Sequence, residues 1–302
     1  MRVLITGGGG FLAAWIIQRL HRAGMHIRVL DTHTDRTRVR DIAGQEAADA
    51  LEWVVADIAD TTAVVNAAQG CDRILHLAGV LTPTCRENPV LGARINVLGT
   101  LNVFEAARVH GMGRVIYTSS GGIYGPEDGQ GPFPITHYGA YKLANEGNAR
   151  AYWEDARIAS IGMRPFVVYG PGRDGGLSAG PTLACKAAAQ GQPYVIPFTG
   201  QAGMVYVDDV AAAYEAALHA TFEGAHTLNL TGHAVSMDEV IHTIRRIVPQ
   251  ADIRCEGPVI PSSASAPNEF GHGLLALGQE RSLHEGIALT IAHYTPSVEA
   301  GT

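Results

Sequence analysis

Four consecutive glycines, Gly7 to Gly10, stand between a short apolar run, Arg2–Thr6, and an amphipathic stretch from Phe11 to Arg22 that stops at Gly24. Strand, glycine turn and helix in immediate succession open a βαβ unit. In the Gly-x-x-Gly-x-x-Ala spacing, Gly7 permits the tight turn, Gly10 lets backbone approach a pyrophosphate, and Ala13 lets helix and strand pack closely. The phosphates would rest on the helix N-terminus beside Phe11 and Leu12, where unpaired N–H groups point outward. The next strand, His26–Leu30, ends in Asp31, whose carboxylate can bind the adenosine ribose hydroxyls. A carboxylate there repels a 2′-phosphate and so favours NAD over NADP. Arg36 and Arg38 lie close enough in sequence to compete with it.

The alternation of strands and helices continues. A third strand, Leu51–Ala56, ends in Asp57 and Ile58, placed to reach the adenine, and Asp60 can cap the helix Thr61 to Ala68. A fourth, Arg73–Leu77, runs into Ala78 and Gly79, small residues that let a cofactor lie against backbone. The polar loop Val80–Pro89 carries Thr82 and Thr84 at the ligand edge of the sheet, either as substrate contacts or as plain loop chemistry. Val90–His110 reads as one helix ending at Gly111. Asn96 inside it has either a special role or a solvated side chain. Arg114–Thr118 delivers Ser119 and Ser120 to the same edge as Gly7 and Gly79. Ile158–Met163 is a sixth strand, and the glycine-rich stretch to Pro181 suits a mobile substrate-side loop. An alanine-rich helix runs from about Val205 to Ala220, and His226–Leu230 returns to the sheet. Ser236 and Ser282 each begin a capping box, with a Pro/Ser/Ala-rich connection, Pro258–Pro267, between the two helices. The expected fold is α/β, a Rossmann-type doubly wound parallel sheet.

Tyr138 and Lys142 lie four residues apart in a segment read as a helix to Arg157, so their side chains share one face. The chain has only two lysines against ten tyrosines. A free tyrosine ionises near pH ~10, so a phenolate base near neutrality needs a shift of roughly three units, about 4 kcal/mol. A nearby positive charge supplies part of that shift. Serine hydroxyls from the strand end could orient a substrate hydroxyl for proton transfer.

A net charge of −7 without a long basic run argues against nucleic acid and anionic membranes as partners. No apolar run approaches the ~20 residues that span a bilayer, and the apolar start is too brief for a signal peptide. Four scattered cysteines suggest neither a disulfide framework nor a metal site. These features predict a soluble, cytoplasmic, metal-free protein. The helix Val90–His110 is apolar over much of its circumference, which predicts a homodimer built with the helix Tyr138–Arg157.

The series Thr6-Gly-Gly-Gly-Gly10-Phe-Leu, Asp31, Asp57, His76-Leu-Ala-Gly79, Asn96, Ser119-Ser120…Tyr124-Gly, Tyr138…Lys142 and Tyr169-Gly-Pro171 resembles the extended short-chain dehydrogenase/reductase family. Within it, the NAD-dependent sugar epimerase/dehydratase branch is most similar. The resemblance implies a catalytic set of Ser120, Tyr138 and Lys142 supported by Asn96. It further implies an NAD-binding domain over residues 1–164, with 204–232 returning to it, and a smaller substrate domain over 165–302. The chain departs from nucleotide-sugar members at Ala202, where those carry a diphosphate-binding arginine, and at Val167 and Val168, where an asparagine is common. Gly121 and Gly122 replace the acidic pair of the sugar dehydratases. Arg173 could substitute as a substrate anchor, alongside Thr82, Ser120 and Tyr138. Without a nucleotide anchor, an oxidised intermediate leaves more readily than it turns over. The expected activity is therefore NAD-dependent oxidation of a small sugar, sugar acid or polyol. Redox-neutral epimerisation of a sugar or nucleotide sugar, and a non-catalytic NAD-sensing module, are the alternatives.

Overall fold

Seven parallel strands form the main sheet in the order β10-β6-β5-β4-β1-β2-β3. They are β1 (Arg2–Thr6), β2 (His26–Asp31), β3 (Glu52–Val55), β4 (Arg73–His76), β5 (Arg114–Thr118), β6 (Ala159–Pro165) and β10 (Ala225–Leu230). The structure is a computed structural model and describes residues 1–125, 131–260, 264–266 and 273–296. Val3, Leu4 and Ile5 are fully buried, as expected of a strand covered on both faces. From β1 the chain winds outward through β2 and β3, then crosses back to β4 and winds the other way. The reversal leaves a crevice at the carboxyl ends of β1 and β4, where ligands bind in open α/β sheets.

Helices cover both faces. On one lie α1 (Phe11–Arg22), which buries Ala13, Ala14, Ile16, Ile17 and Leu20, and α10 (Val207–His219), against which it packs. Two short helices, α2 (Thr37–Ala43) and α3 (Gln45–Asp49), follow β2 and were not legible in the pattern. The other face carries α4 (Thr61–Ala68), whose N-terminus Asp60 caps by accepting from the Ala63 N–H at 3.0 Å. Packed on it is α7 (Gly99–Val109), against which α8 (His137–Ala156) lies in turn. Thr136 caps α8, and Arg157 ends it in the left-handed conformation, φ 53°.

A smaller group of elements sits over the crevice. A three-stranded sheet joins β7 (Val167–Tyr169), β9 (Gln201–Tyr206) and β11 (His233–Ser236), and a two-stranded one joins β8 (Tyr194–Ile196) and β12 (Ile253–Cys255). Three helices pack with them: α9 (Gly180–Ala189), α11 (Met237–Ile247) and α12 (Leu283–Tyr294). The last two begin in complete capping boxes at Ser236 and Ser282. Within 204–232, β9 belongs to the small sheet, while α10 packs on α1 and β10 pairs with β6.

Three expectations need correction. The loop Val80–Pro89 contains a helix, α5 (Thr82–Glu87), begun by proline in its first turn. The helix read over Val90–His110 is interrupted: α6 (Pro89–Ala93) passes through a π-helical turn, Arg94–Leu98, before α7. The glycine-rich stretch ends earlier, because Pro181 lies inside the first turn of α9, where its missing N–H costs nothing. The connection read over Pro258–Pro267 lies partly outside the described residues.

Candidate active site

A cleft of about 810 Å³ opens along the carboxyl ends of β1, β2 and β4. Its floor is the glycine turn. Gly7 has φ +73°, and a Cβ there would meet the Ala78 Cα at 2.8 Å, so the turn lies directly on the end of β4. The N-terminus of α1 has neither a capping side chain nor an acidic residue in its first turn, which leaves its N–H groups for an anion. At the far end the Asp31 carboxylate accepts from Gly9 N at 2.9 Å and Thr32 N at 2.7 Å. Asp57, Ile58, Leu77, Ala78 and Gly79 line the same cleft. Both candidate competitors for Asp31 have other partners, although Arg38 lines the same cleft. Arg36 donates to Ala48 O and stacks on Trp53, and Arg38 donates to Gly9 O and pairs with Asp174 at 2.5 Å. The cradle therefore fits a dinucleotide whose adenosine ribose carries free hydroxyls.

A second cleft shares Gly7, Gly10, Leu77 and Gly79 with the first, and Phe11, Leu12, Thr82, Ser120, Tyr138, Lys142 and Arg173 line it. Here α8 comes very close to the β5 loop, since any Cβ on Gly139 would collide with the Gly122 carbonyl. Ser120 accepts from Gly122 N at 3.0 Å and lies close enough to the Tyr138 phenol to act on its pKa. Burial raises the phenol's pKa, while Ser120 and the positive charge of Arg173 act in the opposite direction. Lys142 is buried. Its Nζ donates to Thr118 O at 2.7 Å and stands 5.6 Å from the Tyr138 ring centroid. Burial brings Lys142 down to about 8. The helix spacing put the ammonium beside the phenol; the structure turns it toward Gly79, where an added Cβ would lie 3.7 Å from Nζ.

Asn96 is fully buried rather than solvated, at the π-helical turn. Its Nδ2 donates to Val80 O at 3.0 Å and Gly92 O at 3.1 Å, while Asn145 Nδ2 donates to Asn96 O at 2.9 Å. A π turn breaks the regular helical ladder, and this carbonyl is bonded across to α8. Asn96 thereby fixes the loop after Gly79 and ties it to the helix of Tyr138 and Lys142.

Sequence reasoning passed over a buried ionic cluster behind the serines. Ser119 donates to Glu146 Oε1 at 2.5 Å, and Arg164 grips the same carboxylate through Nε at 2.8 Å and Nη2 at 2.6 Å. Arg164 also donates to the Tyr124 hydroxyl at 2.8 Å, which in turn donates to Asn229. Ser119 is thus turned into the protein and Ser120 toward the cleft. One signal was available: Glu146 continues the i, i+4 stripe of Tyr138 and Lys142 and places a carboxylate on the face turned to the sheet. No signal in the sequence pointed to Arg164, because its partner is eighteen residues away on another element.

Residues 3–231 match the model of the NAD dependent epimerase/dehydratase family. The chain is 31% identical to a UDP-glucose 4-epimerase of Mycolicibacterium smegmatis over 226 residues, covering 71% of this chain and 72% of that one. It is 34% identical to a uronate dehydrogenase of Pseudomonas syringae pv. tomato over 172 residues, 54% of this chain and 58% of the relative. The solved structure of a Thermus thermophilus UDP-glucose 4-epimerase in complex with NAD superposes with a TM-score of 0.82 at 28% identity, covering 99% of this chain and all of that one. The family's cofactor agrees with the cradle and with Asp31, and the match covers every element that forms the two clefts except α12 and Ile260. The chain is an enzyme of the NAD dependent epimerase/dehydratase family, within the extended short-chain dehydrogenases/reductases.

Proposed function

We propose that the enzyme is a dehydrogenase that oxidises a secondary hydroxyl of a small substrate, the sugar acids, sugars and polyols being the starting classes. The observation that carries this reading is the convergence of Ser120, Tyr138 and Lys142 on a cleft that continues from the dinucleotide cradle. NAD, held by Gly7–Gly10, Asp31 and Gly79, would supply the hydride acceptor and, when oxidised, a positive charge near the phenol. Ser120 holds the substrate hydroxyl. Tyr138 takes its proton as the carbon gives up hydride, so alcohol and NAD become ketone or lactone, NADH and a proton. Lys142, beside Gly79 and 5.6 Å from the Tyr138 ring centroid, would stabilise the phenolate and hold the nicotinamide ribose.

Net oxidation is favoured over epimerisation by the absence of a nucleotide anchor at the expected place. Ala202 is fully buried in β9, and Val167 and Val168 are buried in β7. Redox-neutral epimerisation is the second reading, favoured by the similarity to UDP-glucose 4-epimerases. Incubation with NAD and a panel of aldonates, uronates and UDP-sugars separates the two. NADH forming in step with product supports the dehydrogenase; an epimer appearing without NADH overturns it.

A further inference from the structure

The substrate cleft holds a guanidinium that makes no ion pair among the described residues. Arg173 follows β7 on the turn Gly170–Gly172, in which both glycines have positive φ. Its Nη2 donates to Ser178 Oγ at 2.9 Å, and the group stands 5.6 Å from the Phe11 ring centroid. The Nε is buried and has no hydrogen-bond partner. The adjacent carboxylate, Asp174, is turned away to Arg38. Burial without a paired anion disfavours the charged guanidinium, and its pKa is pushed down accordingly. An arriving anion reverses that penalty, and a carboxylate matches the planar fork of donors.

Apart from Thr82 and the reacting Ser120 and Tyr138, the rest of this cleft is poor in free polar side chains. Thr136 caps α8, Thr118 is bonded to Tyr214 and to the His76 carbonyl, and Ser178 accepts from Arg173. The walls are instead formed by Leu81, Ile135, Phe166, Val168, Leu177 and Ile260. Leu81, Ile135 and Leu177 are 45%, 53% and 56% exposed, an apolar rim around one opening. A polyhydroxylated body would leave hydroxyls unpaired against these walls, whereas an alkyl body removes apolar surface from water.

Building on the dehydrogenase reading, we propose that the substrate is an amphiphilic hydroxy acid. Its carboxylate binds Arg173, its reacting hydroxyl lies at Ser120 and Tyr138, and its apolar remainder lies along the rim. A single unpaired guanidinium matches a monoanion. This keeps the acid of the starting classes above and replaces their polyhydroxylated body with an alkyl one.

The test is calorimetric titration of the NAD-saturated full chain with 3-hydroxyoctanoate, its methyl ester and gluconate. Wild type should bind 3-hydroxyoctanoate about tenfold or more tightly than either comparison compound. Arg173→Gln should bind acid and ester alike, Arg173→Lys should recover part of the acid preference, and Tyr138→Phe should retain it. NAD affinity, measured for each variant, reports whether the variant is folded. Equal binding of acid and ester by the wild type, or tighter binding of gluconate, overturns the proposal. So does an acid preference that survives Arg173→Gln. Failure of the dehydrogenase reading has a different signature: acid bound through Arg173 with no NADH produced.

Discussion

Ser119 and Ser120 share a chemistry and are given opposite surroundings. The Ser119 hydroxyl is spent on the buried carboxylate of Glu146, and Ser120 is left at the cleft with Tyr138. Glu146 is almost fully enclosed and its bridge to Arg164 is bidentate. Removing one partner of such a pair strands a buried charge, at a cost of about 3–5 kcal/mol. Glu146→Gln should lower the unfolding free energy by that order in urea titration and loosen the serine turn. A loss below about 1 kcal/mol would place the pair in the range of exposed bridges. Replacing both Glu146 and Arg164 with apolar residues of similar volume should cost less than the single change.

At the scale of elements, His76 links four of them. Thr100 donates to Asn96 O at 2.8 Å, so it accepts from His76 Nε2 at 2.9 Å. The ring's Nδ1 therefore accepts from Thr6 at 2.7 Å, joining the ends of β1 and β4 to α7, while Asn145 brings in α8 at 3.0 Å. Burial pushes His76 from 6.5 down to about 3. Between those values the unfolded chain takes up a proton that the folded chain refuses. Stability is therefore lost as pH falls through this window, by about 1.4 kcal/mol per unit from this group. His76→Gln should flatten that part of a pH-stability profile measured by denaturant titration, and an unchanged slope would contradict the neutral buried ring. The elements themselves were largely legible. Apolar runs marked the strands of the main sheet, and Asp60, Ser236 and Ser282 marked helix starts, because both signals are local. The π-helical turn was not, because Asn96 departs from the helical ladder in favour of bonds to the Val80 carbonyl and to α8. The strands β7, β8, β11 and β12 are short, and their pairing depends on partners distant in the chain. In the site, the glycine loop and the Tyr138–Lys142 stripe were visible through spacing. The setting of Arg173 was not, because the groups that surround it come from α1, α8 and the turn before α9.

For the whole molecule, no helix among the described residues is long and apolar enough to cross a membrane. Val90, Leu98 and Val109 remain exposed along α6, the π-helical turn and α7, Val90 by 81%. We propose that these residues, with α8, form the homodimer contact. Light scattering at micromolar concentration should return twice the chain mass, and a monomer would remove the proposal. Such a contact would include α8, which carries Tyr138 and Lys142. In the proposed layout cofactor binding and proton transfer are separable: the glycine turn and Asp31 would hold the one, and the Tyr138 hydroxyl would perform the other. Tyr138→Phe keeps the ring and removes only the proton acceptor. The most direct measurement is kcat of this variant beside its NAD dissociation constant. The expected result is a fall in kcat of at least ~10²–10⁴ with NAD affinity little changed; near-wild-type turnover would contradict Tyr138 as the base.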